Sequence, residues 1–160
     1  MSGLPEGAKP VRIVLCDCGP IIKKAVDLDR LAERLGGLDG VRVDRQATLC
    51  SEAGRAWLEA ELAADPDGRL VVVGCSPREH GRTFMEVCRR AGVNPYLLAM
   101  ANIREQCTWV TPDPEQALTK AEALARAAIS RVRAQQAIVE QQVDCQTAVL
   151  VVGAGVAGVA

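Results

Sequence analysis

Sulfur is the chemistry this sequence offers. Seven cysteines are spread along 160 residues, against one histidine, His80. Thiolate is a soft donor that binds zinc and iron–sulfur clusters, and it also undergoes disulfide exchange. Zinc sites usually announce themselves as paired C-x₂₋₄-C knuckles. Here the close pair is Cys16-Asp17-Cys18, and Cys50, Cys75 and Cys107 follow at long intervals. A cluster accepts thiolates from well-separated loops, so this spacing favours a cluster over zinc. A dithiol switch at Cys16/Cys18 stays open, although C-x-C is not the C-x-x-C of thioredoxin-like sites. The odd number of cysteines and the polar residues 1–10, which lack a secretion signal's pattern, argue against a disulfide framework.

The elements between the cysteines decide whether they can meet. Apolar runs at Val11–Cys16, at the start of 41–49, at 70–74 and at 95–100 predict buried strands. Between them, residues 27–38, 51–64, 77–91 and 113–137 carry helical spacing. Two of these helices have explicit start signals, Ser76-Pro77 with Glu79 and Asp113-Pro114 with Gln116. Strands alternating with helices predict an α/β fold, an open parallel sheet of four to five strands with helices on both faces, flavodoxin-like in order. In that arrangement Cys16, Cys18, Cys50, Cys75 and Cys107 all fall at or beyond carboxyl ends of strands. Those ends share one rim, where open α/β folds bind ligands. Cys88, mid-helix between Val87 and Arg89, is expected to pack in the core, and Cys145 is read as incidental.

Several neighbours suit a negatively charged group on that rim. Gly19, Gly54 and Gly74 allow close backbone approach. Ser51 and Ser76, each following a cysteine, stand at helix N-termini, and Arg78 and Arg104 could offset charge. His80 is expected to serve at the surface or as a cap rather than as a ligand.

Composition excludes other classes. Aromatic residues are 2% of the chain, too few for a base-stacking platform, and the net charge of −1 comes without a basic block. Nucleic acid is therefore not an expected partner. No apolar run is long enough to span a bilayer, so the chain is expected in the cytoplasm.

The motifs Cys16-Asp17-Cys18-Gly19, Leu49-Cys50-Ser51, Gly74-Cys75-Ser76-Pro77-Arg78-Glu79-His80 and Asn94-Pro95-Tyr96 through Ala101-Asn102-Ile103-Arg104-Glu105-Gln106-Cys107-Thr108-Trp109 resemble the N-terminal domain of the A-type subunit of heterodisulfide reductase. The resemblance covers nearly all of residues 11–139. It is reinforced by Val149 to Val152 running into Gly153, Gly155 and Gly158, a G-x-G-x-x-G turn that in the family begins an FAD-binding domain. The resemblance implies three parts: a cysteine-rich iron–sulfur domain over 1–139, a linker over 140–147, and over 148–160 the first strand and glycine turn of the flavin domain, cut short. It implies an electron-relay domain holding one cluster, usually 4Fe-4S, with Cys16, Cys18, Cys50, Cys75 and Cys107 as candidate ligands. Five thiols exceed a cubane's four, which leaves an atypical cluster open. FAD would bind only in the full-length parent, an oligomeric complex with further subunits and an electron donor. Two other readings compete: a zinc-stabilised interaction domain and a flavodoxin-like thiol-redox module.

Overall fold

The computed structural model describes residues 10–159; residues 1–9 of the polar N-terminal stretch and Ala160 lie outside the described residues. Four strands, β1 (Val11–Cys16), β2 (Val41–Gln46), β3 (Arg69–Gly74) and β4 (Leu98–Asn102), form one sheet in the order β2-β1-β3-β4, every pairing parallel. The helices are α1 (Ile21–Ala25), α2 (Leu28–Gly36), α3 (Glu52–Ala63), α4 (Pro77–Arg90), α5 (Pro114–Ala134) and the short α6 (Val156–Val159). The expected α/β architecture with a flavodoxin-like strand order is the one observed.

Strand alternation sorts the core into two layers. Val11, Ile13 and Leu15 of β1, with Val71 and Val73 of β3, face α1, α2 and α5. Val14, Cys16, Leu70 and Val72 face Leu58 and Leu62 of α3 and Phe84, Val87 and Cys88 of α4. A strand buried on both faces must be apolar throughout, which is why VRIVLC and RLVVVG read as runs rather than alternations. On α5 the buried stripe is largely alanine (Ala117, Ala121, Ala125, Ala128), so its backbone lies close over the sheet.

Helix starts follow the sequence signals. Ser76 accepts from the Arg78 N–H at 3.2 Å, Asp113 from Gln116 at 2.8 Å, Ser51 from Gly54 at 3.1 Å, and Asp27 from Asp29 and Arg30. Three details depart from expectation. Helix α1 is additional, a five-residue segment without a side-chain cap. The strand expected from residue 95 begins at Leu98, because Pro95–Leu97 forms a 3-10 turn capped by Asn94. Residues 148–152, expected as a strand, have no strand pairing and are exposed. A strand is defined by its neighbour, and among the described residues nothing pairs with this run.

Candidate metal centre

The chain leaves β1 toward α1 and α2 on one face of the sheet, and leaves β3 toward α4 on the other. Where adjacent parallel strands send their connections to opposite faces, a crevice opens beyond their carboxyl ends. Cys16 ends β1 and Cys75 follows β3, so both stand at this crevice. A cavity of about 230 Å³ occupies it, lined by Cys16, Cys18, Cys50, Cys75, Thr48, His80 and Arg104, with Val72 and Phe84 among the apolar walls. Four thiols from three separate loops therefore share one chamber. Cys16 and Cys75 are buried, Cys18 and Cys50 half-buried, and all four are free of disulfide bonds.

Each thiol is positioned by local structure. Cys18 has φ +53°, in the left-handed region that L side chains rarely adopt, and Gly19 follows at +60°. The strained turn is pinned by Gly19 N–H to Ala47 O (3.1 Å) and Asp17 N–H to Gln46 O (2.9 Å). Arg45, at the end of β2, grips the buried Asp17 carboxylate with Nε at 2.7 Å and Nη2 at 3.3 Å. Cys50 is held by the tight entry to α3: a Cβ on Gly54 would stand 2.4 Å from Thr48 O and 2.7 Å from Leu49 O. Gly54→Ala is accordingly expected to cost roughly 1–3 kcal/mol, the range for overpacking, measured as a lowered thermal midpoint of the metal-free chain. At Gly74 a Cβ would meet Cys16 Cβ at 3.1 Å, so this glycine lets β3 lie close beside the first cysteine.

Burial makes charged sulfur costly here. Burial pushes the Cys75 thiol up to about 11; Arg104 pulls the other way, and Cys18, Cys16 and Cys50 add to the rise. Burial also raises Cys16, opposed by the N–H groups of Leu49 (3.4 Å from Sγ) and Cys18. Several thiolates in such a chamber require cationic compensation. Arg104 supplies part of it: it lines the cavity, and its Nη1 donates to Cys18 Sγ at 3.7 Å. Its Nε is buried without a hydrogen-bond partner, a donor that a sulfur-rich anion would satisfy. Thiol donors, backbone N–H groups to sulfur and this unpaired guanidinium N–H fit an iron–sulfur cluster. Among the described residues, no group of three or more His, Cys, Asp or Glu is placed as it would be around a bound metal ion.

Cys107 is not brought to this chamber. The loop expected after β4 is a turn of π-helix, Arg104–Thr108, closed by Thr108 N–H to Ile103 O (2.8 Å) and Trp109 N–H to Arg104 O (3.1 Å). It turns the Cys107 side chain into the core beneath α5, where Sγ donates to Ala117 O at 3.1 Å. Burial raises this thiol too. Cys88 is fully buried against α3 and β3 residues, its thiol pushed up by burial to about 12, and Cys145 is exposed.

Sequence reasoning missed two members of the site. His80, expected at the surface or as a cap, lines the cavity half-buried, its ring edge-on to Phe84 at 6.2 Å. The i, i+4 spacing of the two residues on α4 is the signal that puts them on one face. Asp17, flanked by the first two cysteines, is the buried anchor of their loop, and only the register of β2 beside β1 reveals Arg45 as its partner.

The glycine turn is formed. Gly153 has φ +112°, and a Cβ on Gly158 would stand 2.3 Å from Gly153 O, so the first and last glycines are sterically required. No helix among the described residues is long and apolar enough to cross a membrane.

No family model matches the chain. Relatives do. It is 36% identical over 151 residues to the A-type subunit of the ferredoxin:CoB-CoM heterodisulfide reductase of Methanosarcina mazei, covering 93% of this chain and 19% of that protein. It is 37% identical over 158 residues to the second A-type iron-sulfur subunit of the CoB–CoM heterodisulfide reductase of Methanopyrus kandleri, covering 98% of this chain and 24% of the relative. The A-type subunit of the H(2):CoB-CoM heterodisulfide,ferredoxin reductase of Methanothermobacter thermautotrophicus is 34% identical over 93% of this chain and 23% of its own length. The chain thus spans about a fifth to a quarter of the length of these curated relatives. Over almost all of its own length, the chain belongs with one segment of the A-type subunit of heterodisulfide reductase.

Proposed function

We propose that Cys16, Cys18, Cys50 and Cys75 hold an iron–sulfur cluster of the 4Fe-4S kind, and that the chain is an electron-relay module of a heterodisulfide reductase-like complex. The observation that carries this reading is the convergence of four thiols from three loops on one chamber at the sheet's switch point. A cluster so held takes up and passes on single electrons. The residues present supply holding and tuning rather than bond-making. The Leu49 N–H and Arg104 reach sulfur, Val72 and Phe84 limit water, and the Asp17–Arg45 pair fixes the first loop. The four thiols carry the ligand set, and Cys107, hydrogen-bonded beneath α5, stands outside it.

The choice of a cluster over zinc rests on spacing. A tetrahedral zinc draws its sulfurs to roughly 3.8 Å from one another. A cluster interposes its own iron and sulfide and so accepts thiols supplied by the three separate loops that line the chamber. Relatives named as A subunits of reductases of CoB-CoM heterodisulfide and ferredoxin support a place in electron transfer within a complex of several subunits. In the longer protein, Gly153, Gly155 and Gly158 would form the pyrophosphate-facing turn of an FAD domain, with residues 140–147 as the linker and 1–139 as the cluster domain. The cytoplasm is the compartment that suits reduced thiols and such partners.

The test is anoxic reconstitution with iron and sulfide, followed by electron paramagnetic resonance. We expect a brown chain that gains a paramagnetic signal on dithionite reduction and loses it on reoxidation. A colourless chain whose only redox change is a reversible disulfide would overturn the proposal.

A further inference from the structure

Arg104 is held in a way that a solvated surface arginine is not. Its side chain is 18% exposed, and each nitrogen has a distinct environment. Nη1 is 3.7 Å from Cys18 Sγ, Nη2 pairs with Glu105 Oε1 at 3.1 Å, and Nε is buried without an acceptor. The guanidinium carbon lies 5.5 Å from the centroid of the Trp109 ring, a cation–π distance. Glu105 is fixed in turn: its other oxygen accepts from Asn102 Nδ2 at 3.1 Å, and its N–H donates to Asn102 Oδ1 at 3.0 Å. Among the described residues lining the chamber, Arg104 is the one guanidinium. The Arg104–Glu105 pair is therefore a locked dipole with its positive end at the sulfur and its negative end away from it.

We infer that Arg104 is a positioning and tuning residue that sets the reduction potential of the cluster, with Glu105 setting how much of its charge the cluster feels. This rests on the cluster assignment above and goes beyond it by naming which side chains fix the potential and with which sign. Reduction adds one negative charge to a site already rich in thiolate. A nearby cation favours the reduced form, and a nearby anion opposes it. In the half-buried chamber this influence is screened less than at an open surface.

The two residues thus predict shifts of opposite sign. With iron content measured first, the midpoint potential of the reconstituted chain is read by an anoxic redox titration. Arg104→Gln keeps a planar donor but loses the charge, and its potential is expected to fall below wild type. Arg104→Lys is expected to fall less, because charge remains while the fork to Cys18 and Glu105 does not. Glu105→Gln keeps the side chain's size and one of its two acceptor oxygens and removes the opposing charge, so its potential is expected to rise. A structural role alone would lower iron content or thermal stability in all three variants and leave the potential of the surviving clusters in place. An unchanged potential in iron-loaded Arg104→Gln, or a fall in Glu105→Gln, overturns the inference. If Arg104→Gln fails to fold, Glu105→Gln decides alone. A wild-type chain that takes up no iron overturns the cluster assignment itself, a result distinct from iron bound at an unaltered potential.

Discussion

Iron should be lost from Cys75→Ala and kept by Cys107→Ala. Both cysteines are buried and both follow strands, so position along the chain does not separate them. Their surroundings do. Cys75 lines the four-thiol chamber and feels Cys18, Cys16, Cys50 and Arg104. Cys107 feels Lys120 and the α5 backbone instead, and its sulfur is committed to Ala117 O. Removing a residue behind a metal ligand already costs about 10–100-fold in affinity, so removing a ligand should cost at least that. Iron per chain in Cys75→Ala is therefore expected to drop by at least about tenfold at limiting iron. Cys107→Ala loses one hydrogen bond and a little volume, about 1–2 kcal/mol of fold stability, with iron uptake unaltered. Iron analysis and thermal melts on the same samples separate the two effects. Cys107→Ala without iron, beside a wild-type melting point, would show that the site had been drawn around the wrong sulfurs.

At Cys18, folding and binding should move in opposite directions. Its φ of +53° costs an L residue about 1 kcal/mol or more relative to glycine. Cys18→Gly removes that strain together with the thiol, whereas Cys18→Ala keeps the strain and removes the thiol. The metal-free Cys18→Gly chain is expected to melt a few degrees above the metal-free wild type, and Cys18→Ala near it. Both should take up far less iron. A residue whose strain costs stability, kept at a position whose thiol iron uptake needs, is what a functional constraint on the backbone predicts. Contradiction would come from Cys18→Gly loading iron as the wild type does.

Local features are legible in the sequence. The caps at Ser76 and Asp113 and the apolar runs of β1 and β3 follow from residues adjacent in the chain. The helix period alone assigns Cys88 to packing, and the structure buries it with Leu58 and Phe84. Convergence on a rim follows from parallel topology, since carboxyl ends of parallel strands share one edge. What stays hidden is direction. A π-turn fits one more residue into its hydrogen-bonded ring than an α-turn, so the side chain at Cys107 is rotated away from where a loop reading puts it. His80 and Asp17 are hidden for a different reason. The roles of both depend on neighbours in other elements, Arg45 across the β1–β2 register and the chamber between α4 and β1. Gly153 takes a positive φ, while the run before it finds no strand to pair with among the described residues.

The most direct test of the central claim is the content of iron, zinc and acid-labile sulfide per folded chain after anoxic reconstitution with all three supplied. The four-thiol chamber predicts about four irons and a matching amount of sulfide, with little zinc. Zinc at about one per chain without sulfide, or no metal at all, would contradict it.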